Sequence, residues 1–219
     1  MLGTLLVALV AVAAPATPCY SLDGSMSVRG PTLVGDVDGD GAPDTVRTEA
    51  EWVDAQTCRA GLVVETAHGV YRAAVLSDGP LAAPPGLAGL VRLDRRPGLE
   101  VALVTWEGAS TTFIQVFTLK RRQLALLDGP LLGHGGSVTH RSGVDCARRR
   151  GTILVSSQAA LGPRGARYRV VRRFFALVSG SLVERPALTE RYRLREPGLG
   201  RFREFADQVH AFPSCTEAT

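Results

Sequence analysis

Apolar residues in this chain fall in short runs separated by Gly, Pro, Asp and Ser. Runs of about four to eight residues, rich in β-branched and aromatic side chains, predict β-strands. In a first stretch they are Leu62-Val63-Val64 and Val70-Tyr71-Arg72-Ala73-Ala74-Val75-Leu76, joined across a His68-Gly69 turn. A second stretch has Val101-Ala102-Leu103-Val104, Phe113-Ile114-Gln115-Val116-Phe117 and Leu124-Ala125-Leu126-Leu127, with a turn at Lys120-Arg121-Arg122. A third has Thr152-Ile153-Leu154-Val155, Tyr168-Arg169-Val170-Val171 and Phe174-Phe175-Ala176-Leu177-Val178. Gly133-His134-Gly135-Gly136-Ser137 reads as a glycine-rich connection. Near the end, Phe202, Phe205, Ala206 and Val209 recur at helical spacing, which predicts a short amphipathic helix from Arg201 to Ala211.

The three stretches share one layout. Each opens on an aspartate (Asp36, Asp94, Asp145), and the first two close on Asp-Gly-Pro-Leu, at Asp78 and at Asp128. A long period holding several strands predicts propeller blades or a stacked array, with repeats at about 36–93, 94–144 and 145–190. A non-repeating β-sandwich with recurrent turn chemistry is the competing architecture.

The N-terminus changes the compartment. Leu2 to Ala14 is apolar but shorter than the roughly 20 residues of a spanning helix. Ala14-Pro15-Ala16 fits a small-x-small cleavage site, so residues 1–16 read as a signal peptide and 17–219 as the mature chain. No basic residue precedes the apolar run, and a buried N-terminal strand is the other reading. No later run suggests a transmembrane anchor. Export to the extracellular space or cell envelope makes disulfides expected. The four cysteines, Cys19, Cys58, Cys146 and Cys215, allow three connectivities, of which Cys19–Cys58 with Cys146–Cys215 would staple each end. Cys19 is a poor match to a lipidated cysteine.

The most specific motif is Asp36-Val37-Asp38-Gly39-Asp40-Gly41-Ala42-Pro43-Asp44. Alternate carboxylates in a tight loop can face one centre, and Ca²⁺ takes about six to eight oxygen ligands. Asp36, Asp38, Asp40 and Asp44, the Ala42 carbonyl and a water meet that need. An EF-hand would carry Glu where this chain has Arg47, and its flanks would be helices, whereas Pro31-Thr32-Leu33-Val34 and Thr45-Val46-Arg47-Thr48 read as strands. The alternative is a solvated acidic turn.

The segment from Val34 to Val46 resembles an FG-GAP/VCBS-type repeat, the blade unit of integrin α-subunit propellers and of many bacterial secreted proteins. The resemblance implies a blade-like β-array and calcium held by Asp36, Asp38, Asp40, Asp44 and the Ala42 carbonyl. Val91 to Ala102 is similar but degenerate, keeping Asp94 and Glu100. Gly143-Val144-Asp145-Cys146 is a fainter echo. The resemblance spans about 36–185. Propellers of that family close with about seven blades. The length here corresponds to about three, which implies a small or open all-β assembly.

Other chemistry is poorly supported. There is no Gly-x-Ser-x-Gly elbow, no HExxH, no Walker A and no Rossmann glycine pattern. Ser137, His140 and Asp145 supply a triad's residue types, which meet often by chance. The 25 basic and 21 acidic residues give a formal charge of +4, but the excess sits in the C-terminal third. There Arg167, Arg169, Arg172, Arg173, Arg191, Arg193 and Arg195 alternate in part with apolar residues. They read as the solvated side of half-buried strands, or as a face for an acidic polysaccharide, phospholipid or protein. No nucleic-acid motif is present. The expectation is a secreted calcium-binding module that holds an extracellular protein or polysaccharide without catalysis. A hydrolase of cell-wall or polysaccharide substrates and a structural envelope protein are the competing classes.

Overall fold

The computed structural model describes residues 27–52, 58–75, 85–93, 96–107, 110–147, 153–162, 167–206, 211–212 and 215. The proposed leader, Cys19 and Asp94 lie outside the described residues, and with Cys19 the Cys19–Cys58 pairing. The fold is all-β.

The first four strands form an antiparallel meander: β1 (Ser27–Gly35), β2 (Asp44–Trp52), β3 (Cys58–Thr66) and β4 (Gly69–Val75). The other ten form one sheet. β5 (Leu87–Val91), β6 (Glu100–Glu107), β7 (Thr111–Lys120) and β8 (Gln123–Leu126) pair in sequence. So do β10 (His140–Cys146), β11 (Leu154–Leu161), β12 (Tyr168–Val178) and β13 (Ser181–Glu184). β9 (Leu132–Gly136) joins the two groups by pairing with β7 and β10. β14 (Glu190–Leu194) pairs with the first half of β12.

The long strands β7 and β12 therefore each carry two short partners in succession. The sheet also curls: the Leu182 N–H donates to the Asp128 carbonyl at 2.6 Å, tying β13 to the segment leaving β8.

Alternation along the strands builds the cores. Val46, Leu62 and Val64 of the first sheet pack with Val101, Leu103 and Phe117. A second core holds Ala102, Ile114, Val116, Leu132, Val144, Leu154 and Phe175, with Phe212 fully buried among them. Tyr168, Val170, Leu199, Phe202 and Phe205 form a third.

Two expectations need correction. The segment at Gly133–Gly136 is strand β9 and not a turn, because it sits between two strands that need partners. Its glycines permit that fit: a Cβ on Gly136 would lie 2.2 Å from the His140 carbonyl oxygen. The predicted helix starts later, since Arg201 closes a 3₁₀ segment at Glu196–Arg201 and one α-helical turn, α1, spans Arg203–Ala206, with 207–210 outside the described residues. α1 lies so close to β10 that a Cβ on Gly143 would meet the Glu204 carbonyl oxygen at 2.0 Å.

The C-terminal segment is held at three points. The Phe212 N–H donates to the Val144 carbonyl at 3.1 Å, the Arg92 N–H donates to the Cys215 carbonyl at 3.3 Å, and Cys146–Cys215 is a disulfide.

Candidate metal centre

The loop between β1 and β2 organises itself around its own carboxylates. Both oxygens of Asp36 are used, accepting the Gly39 N–H at 2.7 Å and the Gly41 N–H at 3.1 Å. Asp38 Oδ1 accepts the Asp40 N–H, and Asp40 Oδ1 accepts the Ala42 N–H. Asp44 opens β2, and its Oδ2 accepts the Val37 and Asp38 N–H groups at 2.7 and 3.0 Å. Short polar side chains that bond their own backbone stabilise such turns. Val37, buried within the acidic run, anchors the loop in the core between the sheets.

The next unit supports this loop from below. The Leu99 N–H donates to the Asp36 carbonyl at 2.8 Å. Gly39, at φ 84°, leaves no room for a side chain: a Cβ would fall 2.7 Å from the Pro97 carbonyl carbon. Gly98, at φ 98°, is equally constrained by the Val37 carbonyl oxygen.

Two carboxylate oxygens remain without a hydrogen-bond partner although buried: Asp38 Oδ2 and Asp44 Oδ1. Asp44 is only 1% exposed. An orphaned charged oxygen at such depth is costly, which is the signature expected where a cation completes the site. Burial, with the Asp38 and Asp40 charges adding to it, pushes the Asp44 carboxyl above the usual carboxylate range despite its two backbone donors. A bound cation would reverse that push.

Of the residues expected from the sequence, Asp36, Asp38 and Asp44 bring ligand atoms within 4.8 Å of one another. Asp40 belongs to a second group with Asp38 and His68, and its Oδ2 lies 3.3 Å from His68 Nε2. Ala42 lies half-buried in the loop. His68 is the residue the spacing did not reveal. It comes from the β3–β4 turn, and only the folding of that hairpin beside the loop brings it in.

The β7–β8 turn closes over the same place. Asp38, Asp40, His68, Tyr71, Arg121 and Arg122 border a cavity of about 260 Å³. Arg121 and Arg122 occupy left-handed backbone conformations at φ 49° and 62°. Two-residue hairpin turns favour glycine or asparagine there, and each other residue costs on the order of 1 kcal/mol.

The loop between β5 and β6 has the same length, because Gly35 to Asp44 and Val91 to Glu100 span equal numbers of residues. The Leu93 N–H donates to buried Glu100 Oε2 at 2.9 Å, as the Val37 N–H does to Asp44. Matching the strand ends corrects the sequence alignment. Asp94 corresponds to Asp38 and not to Asp36, and Arg92 and Arg96 stand where Asp36 and Asp40 stand in the first loop. Two guanidinium groups thus occupy positions that are acidic in the first loop. Asp145 lies within β10, where its Oδ1 accepts the Cys146 N–H at 2.8 Å.

The triad types are not assembled. Ser137 Oγ is hydrogen-bonded to Thr139 Oγ1 at 3.0 Å, and His140 and Asp145 lie five residues apart on β10, about 17 Å along the strand. Among the described residues no helix is long and apolar enough to cross a membrane. Comparison with protein-family models, curated proteins and solved structures finds no match.

Proposed function

We propose that the chain is an exported, calcium-binding β-module of blade-like units that holds an extracellular protein or polysaccharide without catalysing a reaction. The observation that carries the metal assignment is the pair of buried, partnerless oxygens at Asp38 and Asp44, grouped with the Asp36 carboxylate. The donor set of Asp36, Asp38 and Asp44, all carboxylate, suits a hard cation. Asp36, Asp38, Asp40 and Asp44, with the Ala42 carbonyl, would hold the ion. The resemblance of Val34–Val46 to an FG-GAP/VCBS repeat supports calcium, and the equal loop in the next meander supports the repeat. The apolar leader and the disulfide support export.

The test is thermal. A site with Kd near 10⁻⁴–10⁻³ M, as in extracellular modules, gives about 1.4–2.7 kcal/mol at 10 mM calcium. In a chain of this size that raises Tm by about 3–10 °C over the value in EDTA. Asp44→Asn should abolish the shift. Equal melting in calcium and chelator would overturn the assignment. Calorimetric titration should give one calcium per chain, because Arg92 and Arg96 disable the second loop. Two equivalents would contradict that reading.

A further inference from the structure

We propose that the outer face of β12 and β14 is a binding track for a linear anionic polysaccharide. The antiparallel register sets Arg169 directly opposite Arg193 and Val171 opposite Arg191. Continued one step, the same register sets Arg167 against Arg195. All five arginines are exposed. Alternation places them on one face, while Tyr168, Val170, Tyr192 and Leu194 turn inward to the third core.

Like charges directly opposite on adjacent strands are unfavourable. The protein does neutralise an arginine where the fold requires it. Arg172, on the inner face, is bonded by both Glu190 and Glu204. Among the described residues no carboxylate forms an ion pair with Arg167, Arg169, Arg191, Arg193 or Arg195. The next strand, β11, adds no charge to this face. Its residues opposite Arg169, Val171 and Arg173 are Ala160, Gln158 and Ser156. An ordinary solvated strand face mixes both signs; this one concentrates a single sign from Arg167 to Val171, and a carboxylate meets the face only beyond it, where Glu184 lies 3.9 Å from Arg173.

The shape selects the partner. The track is two strands wide, about 5 Å, and about 14 Å long from Arg167 to Val171. That is the footprint of an extended chain, not of a plane. Val171 is half-buried between the arginines and offers no apolar side chain long enough to enter a bilayer. Forked guanidinium groups bind carboxylate and sulfate oxygens in pairs. The track is separate from the metal loop, so binding goes beyond the calcium reading and does not depend on it.

The test uses a hyaluronan octasaccharide, whose glucuronates supply the carboxylates, in low-salt buffer with calcium and again with EDTA. The neutral comparison is a chitin oligosaccharide of equal length. Arg169→Gln with Arg193→Gln should weaken hyaluronan binding about tenfold or more, since removing one charge pair at a surface is a few-fold effect and two are removed here. Tm should stay equal or rise, because the opposed charges are gone. Arg29→Gln with Arg72→Gln, of the same net charge and on the other sheet, should change binding by less than about twofold. Binding should fall steeply as salt is raised and be the same in EDTA. The proposal is overturned if the neutral chain binds as well, if the track variant binds as tightly as the parent, or if the control pair weakens binding as much. It is also overturned if phosphatidylserine vesicles recruit the protein while hyaluronan does not. Binding that survives EDTA without any calcium effect on melting would sink the metal assignment and leave this one standing.

Discussion

Glu204→Ala is expected to lower stability by about 2–4 kcal/mol, because it leaves the buried Ser157 hydroxyl unpaired and Arg172 with one carboxylate in place of two. Glu204 is 2% exposed and belongs to a chain of hydrogen bonds from Ser157 to Tyr192. Its Oε1 accepts Ser157 Oγ at 2.7 Å and Arg172 Nε at 2.6 Å. Arg172 also bonds Glu190 Oε2 at 2.5 Å, and its guanidinium lies 4.5 Å from the Phe202 ring centroid and 5.2 Å from that of Phe174. Tyr192 ends the chain by donating to Glu190 Oε2 at 2.9 Å. Removing the carboxylate leaves Arg172 with Glu190 alone between two aromatic rings and opens a gap beneath α1. Urea denaturation measures the effect as a lower midpoint at unchanged slope. The double variant Arg172→Met with Glu204→Gln should recover much of the loss, because a matched apolar and neutral pair removes both the charge and its desolvation. A double variant no better than Glu204→Ala would show that the network acts through packing alone.

Breaking Cys146–Cys215 should cost about 4 kcal/mol. The two cysteines are 69 residues apart, and the released loop restores that much chain entropy to the unfolded state. The bridge joins the end of β10 to the segment at 211–215, where Phe212 fills the second core and Cys215 meets the strand-β5 side of the sheet. Cys146→Ser with Cys215→Ser, compared with the parent under oxidising conditions, should show a correspondingly lower urea midpoint, and in reducing buffer the two proteins should converge. A parent unaffected by reductant would contradict the assignment.

Much of the sheet was legible because its strands are β-branched and aromatic runs. Leu62–Val64, Phe113–Phe117 and Phe174–Val178 all lie in strands. β9 was not legible, since three of its five residues are glycines whose role is close backbone approach. β14 showed itself only as arginines in alternation. In the loop, carboxylate spacing pointed to Asp36, Asp38 and Asp44, whose oxygens the fold brings within 4.8 Å of one another, while His68 arrives beside Asp40 from another hairpin. The alignment of Asp94 with Asp36 failed because the sequence displays aspartates but not strand ends. Glu204 and Arg172 carried no signal at all: they lie 32 residues apart, and only tertiary packing joins them.

The anchoring of Phe212 and Cys215 also sets the order in which the molecule can be made. The first meander pairs only neighbours in sequence, with local closure that is fast. The second core contains Phe212 and Cys215, which follow every other residue of that core along the chain. A nascent chain emerging N-terminus first can therefore zip its first sheet early, yet must hold an open, sticky interior until the 211–215 segment arrives. The stage most exposed to aggregation or mispaired thiols is the interval between the emergence of β14 and that of Cys215.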